Sequence, residues 1–355
     1  MLDELANISY LPQLPQAYAP GIALIGCGGI SQEHLRAYKS AGFRLLVLCD
    51  KIIERAQQQA AAYFPKAKIT DDFQEVLNDD RIEVVDVATH PADRPTIISA
   101  ALRAGKHVLS QKPFVLDLDQ GLELIELADS RKLQLAVNQN GRWAPHFSFT
   151  RGLVQSGLIG EVCAAHLSCH WDHTWVRGTE FEKIRHLILY DYAIHWFDIV
   201  RTFFPRQAAQ KVYAATNRVV GQTLMPDLLA HACIEFENGQ ATLAFDAGLK
   251  HGSHDRTFVS GTLGTCHSQG VDIQNQQLQV ATCQGTWTPK LDGKWFPDGF
   301  RGTMGELLCA IESGRESTIS ARDNLQSLEL CFAAIASADS GMPVKPGNVR
   351  RIPAS

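Results

Sequence analysis

The sequence predicts an α/β protein in two parts: a doubly wound parallel sheet, then an α/β domain with a large, open, mostly antiparallel sheet. Three observations carry this reading. The turn Gly26-Cys27-Gly28-Gly29-Ile30-Ser31 directly follows the apolar run Ile22-Ala23-Leu24-Ile25, and an acid, Asp50, closes the next apolar run. Apolar runs and amphipathic stretches then alternate to about Arg142. After Pro145 the texture changes to consecutive strand-like segments separated by Gly and Asn-Gly.

Residues 1–20 contain Pro, Gln and Tyr without a clear period and read as an arm. The first strand then delivers the chain to the glycine turn. Gly26 permits the turn, and Gly28 lets a pyrophosphate approach bare backbone. Ser31 is small enough for the next helix to pack against the strand. That helix offers free N–H groups and a positive dipole end to phosphates. Leu45–Cys49 reads as the second parallel strand, with Asp50 placed to bind both hydroxyls of an adenosine ribose. This is a dinucleotide-binding arrangement, and the carboxylate favours NAD over NADP. Lys51 softens that preference by attracting a 2′-phosphate, so NADP stays possible. Further strands are read at 84–88, 107–109 and 135–137, and helices at 52–63, 94–104 and 119–131. The first domain spans 21–143.

The second domain spans 144–355. A helix over Phe147–Ser156 ends at Gly157. Strands are read at 161–172, 211–219, 230–237, 240–248, 256–260 and 276–282, with Asn238-Gly239 as a hairpin signal. Leu187–Phe204 reads as one helix rich in aromatics and acids. Helices over Thr303–Ser313 and Asn324–Ser340 close at Gly314 and Gly341 and can pack back on the first domain. With no Ser/Gly-rich linker, the two parts are expected to pack around a cleft.

Bulk composition excludes several function classes. The 355-residue chain is 45% hydrophobic and 20% charged, with net charge −5 and no basic stripe, which argues against nucleic acid. No apolar stretch approaches the ~20 residues of a membrane helix. Asp3 and Glu4, without a basic segment, give no secretory signal. Nine scattered cysteines without a C-x-x-C pair suggest reduced thiols in a cytoplasm. Cys27 reads as a small filler in the turn.

Ala88-Thr89-His90-Pro91 and the stretch from Ala104 to Pro113, ending Gln111-Lys112-Pro113, resemble the glucose–fructose oxidoreductase / inositol dehydrogenase / rhizopine-catabolism (Gfo/Idh/MocA) family. Asp191-Tyr192-Ala193-Ile194-His195 is similar to its D-x-G-x-H motif, with Ala for Gly. Gly261–Thr265 resembles its G-x-x-G-x turn, and Phe300 to Pro343 its closing helices. The resemblance implies an NAD(P)-dependent oxidoreductase acting on a sugar, polyol or cyclitol, with an open sheet that often mediates oligomers. It implies that Gly26, Gly28, Gly29, Ile30, Asp50, Lys51, Thr89, His90, Gln111, Lys112 and Asn138 hold the cofactor. Two positions depart from the family pattern: Gln111 replaces the glutamate of E-K-P, and Arg94 stands where the family often has His.

Oxidising a secondary alcohol moves a hydride from carbon and a proton from oxygen. His195 is the candidate base, because imidazole titrates near neutral pH. Asp191, four residues earlier, shares its helix face, with Asp198 one turn on. Such an acid can orient the imidazole or hold a second hydroxyl, and a purely structural His–Asp pairing has the same spacing. Lys112 sits where the fold binds ligands and can stabilise an alkoxide, with Pro113, cis by resemblance, behind it. Arg142 and Trp143, at the crossing between domains, and Trp171 and His173, at a strand end, are candidate substrate contacts. Trp143 reads equally well as a seam residue.

No metal is expected. His166, His170 and Asp172 share a strand face and His173 does not, and histidines four apart on a strand lie roughly 13 Å apart. His251 and His254 read as a solvated loop. Strand residues Leu243, Phe245 and Ala247 on one alternation phase and Ala244 on the other predict a homodimer or homotetramer through the sheet. The alternatives are an oxidoreductase that tightly holds and recycles its NAD(P), and a non-catalytic NAD(H)-sensing regulator. The presence of Lys112, Asp191 and His195 argues against the sensor.

Overall fold

The computed structural model describes residues 5–352. The reading of Asp3 and Glu4 lies outside them. The chain forms two compact units.

One unit comprises Pro12–Trp143 and Phe296–Leu325. Its strands are β1 (Gly21–Ile25), β2 (Leu45–Cys49), β3 (Lys68–Thr70), β4 (Ile82–Val87), β5 (His107–Ser110) and β6 (Leu135–Val137). They form a parallel sheet in the order β3-β2-β1-β4-β5-β6, which reverses direction at β1/β4. Its helices are α1 (Ser31–Ala41), α2 (Ile53–Tyr63), α3 (Phe73–Leu77), α4 (Arg94–Arg103) and α5 (Leu118–Ser130). All five residues of β1 are buried, as a strand covered on both faces requires. Ile22 and Leu24 of β1, Leu35 and Tyr38 of α1, and Phe300, Met304, Leu307 and Leu308 share one apolar cluster. Those last four lie on the helix Trp295–Ser313, whose backbone is non-helical at Phe296. The periodicity of the sequence does not show β3 and α3, which at three and five residues are too short to carry a period.

At Gln16–Tyr18 the arm is held by one carboxylate. The Glu312 carboxylate accepts the backbone N–H groups of Gln16, Ala17 and Tyr18. Those three donors favour the ionised form and hold its pKa below the usual carboxylate range.

The other unit comprises the described residues through Leu11, Ala144–Trp295, and the chain from Gln326. After α6 (Pro145–Ser156) come β7 (Val162–His170), α7 (Ile194–Phe203), β8 (Ala209–Asn217), β9 (Leu229–Phe236), β10 (Gly239–Asp246) and β11 (His254–Gly261). Three more strands follow, β12 (Gly264–Gly270), β13 (Gln276–Thr282) and β14 (Gly285–Trp287). The sheet order is β14-β13-β12-β11-β7-β10-β9-β8. Only the β10–β7 pair is parallel. Strand β12, with the polar sequence GTCHSQG, carries no apolar alternation to read. Alternation sorts the two faces cleanly. Leu243, Phe245 and Ala247 are buried, whereas Ala244 is exposed. The open face is not apolar: one row across it runs His267, Phe258, His166, Thr242, Cys233, Tyr213.

The hairpin at Asn238-Gly239 forms, but its turn residues are Glu237 and Asn238. Gly239 already pairs with Phe236. A Cβ there would lie 2.7 Å from the Phe204 ring and 2.9 Å from the Cys163 carbonyl, so space, not a left-handed backbone, calls for glycine.

All nine cysteines are free. Among the described residues no helix is long and apolar enough to cross a membrane.

Gly302 and Trp143 give a direct test of core packing. A Cβ on Gly302 would fall 2.2 Å from the buried indole. Gly302→Ala is expected to lower stability by about 1–3 kcal/mol. Urea unfolding should show an earlier midpoint at an unchanged slope.

Candidate functional site

The parallel sheet ends in a cradle built from the loops after β1, β2, β4 and β5. Gly26 has φ 101°, and a Cβ on it would strike the Ala88 carbonyl. Its N–H donates to Cys49 O at 2.8 Å, which draws the turn over β2. Ser31 closes the turn, with its hydroxyl on Gly28 O at 2.6 Å. Around Gly28 and Gly29 a Cβ would meet no atom within 4 Å. No side chain caps α1, so the positive end of its dipole faces this open backbone. Asp50, buried at the end of β2, accepts Cys27 N–H on Oδ2 (2.7 Å) and Ile52 N–H on Oδ1 (2.8 Å). Each oxygen keeps a lone pair for a hydroxyl. Thr89 Oγ1 is buried without a partner in the protein. Ile30, Lys51 and His90 are exposed around the rim, and Lys51 lies 3.8 Å from Asp93. An open glycine backbone, an uncapped helix, a ribose-height carboxylate and an orphaned hydroxyl fit a dinucleotide. Burial and the neighbouring Asp50 push the Cys27 thiol up to about 12, so it remains protonated.

Beside the cradle, half-buried Lys112 follows β5, and its peptide bond to Pro113 is cis. Arg94 is buried and fixes the local backbone. It donates to the carbonyls of Thr89 and Gln111 at 2.9 Å, and to that of Pro113. The side chains of Gln111 and Asn138 point into a polar network rather than outward. Gln111 Nε2 lies 3.1 Å and Asn138 Nδ2 3.3 Å from His34 Nε2. Arg142 bonds Thr318 O (2.6 Å) and Asp323 Oδ2 (2.5 Å). Trp143 sits in the apolar core. The sequence alone does not separate these buried polar residues from ligand contacts, because both occur at strand ends.

The second unit holds the other candidates. Leu187–Phe204 is not one α-helix, contrary to its periodicity. Ile188–Tyr192 is a π-turn, with Ala193 N–H on Ile188 O at 2.7 Å, and α7 begins after it. Asp191 lies in the π-turn and His195 in the first turn of α7. Such insertions are frequent at functional sites. Asp198 is buried and accepts the Ser327 hydroxyl at 2.8 Å, which makes it a packing residue of α7.

An aromatic column braces this segment. Trp171 stacks on Tyr192 at 3.8 Å, and Tyr192 on Trp196 at 4.6 Å. Phe245 meets Trp171, Tyr192 and Trp196 edge-on. His195 is buried and stands perpendicular to Trp295 at 5.4 Å. His173 Nδ1 accepts the indole N–H of Trp171 (2.9 Å) and of Trp175 (3.3 Å), which puts the imidazole proton on Nε2. Trp175 stays 59% exposed, an apolar face beside polar groups that suits a sugar ring. Sequence reasoning does not single out Tyr192, Trp175 or Asp255. The aromatic flanks of Asp191 are the available signal for Tyr192.

His166, His170, His251 and His254 are not buried, and His166 bonds Thr242 at 2.7 Å. Among the described residues no three His, Cys, Asp or Glu side chains gather as a metal site.

Residues 21–139 match the family model described as GFO_IDH_MocA, oxidoreductase family, NAD-binding Rossmann fold. Residues 151–345 match the family's C-terminal alpha/beta domain. A D-apiose dehydrogenase of Paraburkholderia graminis is 26% identical, the match covering 91% of this chain and 88% of that protein. An inositol 2-dehydrogenase of Rhizobium meliloti is 25% identical, covering 88% and 95%. In fold, the chain is similar to an Agrobacterium radiobacter oxidoreductase solved with NAD+, L-tartaric acid and magnesium. That likeness has a TM-score of 0.83 and 22% identity, covering 93% of this chain and 99% of that one.

Asp255 makes a pH-dependent contribution to stability. It is buried opposite Cys169 in the β11–β7 register, and Cys169 Sγ lies 3.2 Å from the Tyr192 hydroxyl. Burial pushes its carboxyl up to about 7. The folded protein then holds a proton that the unfolded chain releases near pH 4. This stabilisation is fully present below about pH 4 and is lost as pH rises through about 7. Asp255→Asn is expected to remove that loss and to be the more stable protein at about pH 8 by a few kcal/mol. Urea titrations on each side of neutrality measure it, and equal slopes of stability against pH would contradict it.

Proposed function

Because the chain belongs to the Gfo/Idh/MocA oxidoreductase family, with its NAD-binding Rossmann domain and C-terminal α/β domain, we propose that it is an NAD-dependent dehydrogenase of sugars, polyols or cyclitols. The reacting group is a secondary alcohol or hemiacetal carbon. The observation that carries this reading is the open glycine backbone at the uncapped start of α1, beside Asp50 and next to Lys112. The relatives named for D-apiose and inositol support the substrate class.

Bound nicotinamide supplies the hydride acceptor or donor. The protein's own residues handle the oxygen. His195 takes the hydroxyl proton in oxidation and returns it in reduction. Lys112 stabilises the negative charge that develops on that oxygen. Asp191 accepts a hydrogen bond from a second hydroxyl, and Trp175 offers the sugar an apolar face. Gly28, Gly29 and Ile30 receive the pyrophosphate, and Asp50 the adenosine ribose. We place the enzyme in the cytoplasm as a homodimer or homotetramer joined through the open sheet face. The nine free cysteines support the first, and Phe258 and Tyr213 among the polar residues of the open face support the second.

NAD and NADP reduction across a panel of aldoses, polyols and cyclitols, with D-apiose and inositol included, tests the reading. NADH formation with at least one is expected, and none across the panel would sink it. Lys112→Ala is expected to lower turnover by about two orders of magnitude, with NAD affinity changed far less. His195→Ala is expected to lose most activity and to flatten the fall in oxidation at acid pH, because that fall reports a charging imidazole.

Cofactor choice follows from Asp50, whose carboxylate would meet a 2′-phosphate with like charge. NADH is expected to bind more tightly than NADPH in a fluorescence titration. The reverse order would remove Asp50 from ribose recognition.

A further inference from the structure

Beneath Lys112 lies a fully buried polar chain. The Lys112 backbone N–H donates to Gln111 Oε1 at 2.7 Å. Gln111 Nε2 lies 3.1 Å from His34 Nε2. His34 Nδ1 lies 2.6 Å from Asp86 Oδ2. The same oxygen accepts the Tyr38 hydroxyl at 2.5 Å. His34 and Asp86 are wholly buried, and the Phe300 ring lies 4.7 Å from the imidazole.

The two ends of this chain fix its direction. A peptide N–H can only donate, so it takes the oxygen end of the Gln111 amide and turns the NH2 end toward His34. His34 Nε2 must therefore accept. The other end is a carboxylate that accepts, so Nδ1 must donate. Asn138 fits the same direction: with its Oδ1 toward the Thr303 hydroxyl (2.8 Å), which also lies 3.1 Å from Phe300 O, its Nδ2 lies 3.3 Å from the same Nε2. Every hydrogen bond then runs one way, from Lys112 through Gln111 and His34 to Asp86.

We propose that His34 is a positioning residue for Lys112, held as neutral imidazole protonated on Nδ1, and that Gln111 is what keeps it neutral. This rests on the catalytic reading of Lys112 given above. With glutamate at position 111, the second carboxylate oxygen would face Nε2 and could only accept. The imidazole would then need a second proton and would lie between two carboxylates as imidazolium. The amide thus spares the enzyme a charged histidine under its catalytic lysine. It still orients the Lys112 peptide, on which the side chain's aim depends.

The test has two arms. The first reads the histidine directly by long-range 1H–15N NMR of the intact protein. Asp86 and Tyr38 are the titratable groups that face His34. Wild type at neutral pH should show His34 protonated at Nδ1 and bare at Nε2. Gln111→Glu should show the imidazolium pattern under the same conditions. An Nε2–H tautomer or an imidazolium in wild type overturns the proposal.

The second arm is a double-mutant cycle with a substrate from the panel. Gln111→Leu should lower kcat at least about tenfold and leave KM for NAD nearly unchanged. In the Lys112→Ala background the same change should cost nothing further, because it acts through the lysine. Additive losses would make the network merely structural and overturn the positioning role. Near-normal turnover in Lys112→Ala alone would overturn the catalytic reading and the positioning role with it. The NMR result would still report the direction of the chain.

Discussion

A carboxylate with no access to water, Asp86 in β4, is the constraint around which the nucleotide-binding unit is arranged. A buried charge is tolerated only where hydrogen bonds replace its hydration. Asp86 draws two such bonds on Oδ2, from His34 and Tyr38, both on α1, while its Oδ1 is buried with no hydrogen-bond partner. It therefore ties the helix behind the glycine turn to the strand beside it. The turn is fixed from below by Asp86 and from the side by Asp50, which takes the Cys27 N–H. Two acids that look alike in the sequence have complementary roles, one anchoring the helix and the other closing the turn.

The same network reaches the loop that carries Lys112. Arg94 holds the carbonyls of Thr89, Gln111 and Pro113 together. Gln111 and Asn138 connect that loop and β6 to His34. The loops at the carboxyl ends of β4, β5 and β6 are thus joined through buried polar groups. A site with a rigid support of this kind needs little rearrangement when a ligand arrives.

The other unit achieves rigidity by aromatic packing. The column Trp171–Tyr192–Trp196 runs from the end of β7 across the π-turn into α7. Because Tyr192 is the middle ring, the backbone on either side of it cannot turn without breaking both stacks. Asp191 and His195 sit on that braced stretch. Asp255 lies beneath it, a buried acid whose protonation matters for stability.

Much of this was legible in the sequence, because it depends on local pattern. The strand–glycine turn–helix, the acid after β2, the alternating faces of the second sheet and the helix-closing glycines all follow from short-range sterics and periodicity. Short elements such as β3, and polar ones such as β12, left no period to read. The π-turn was hidden because a four-residue spacing looks helical whichever helix carries it. Tertiary structure alone decided which polar residues at strand ends are left open and which are bonded inward. Asp50 and Asp86 both end or interrupt apolar runs, and Lys112 and Gln111 are adjacent. Their roles separate only when α1 brings His34 and Tyr38 over the sheet, because burial and hydrogen-bond direction are set by partners dozens of residues away.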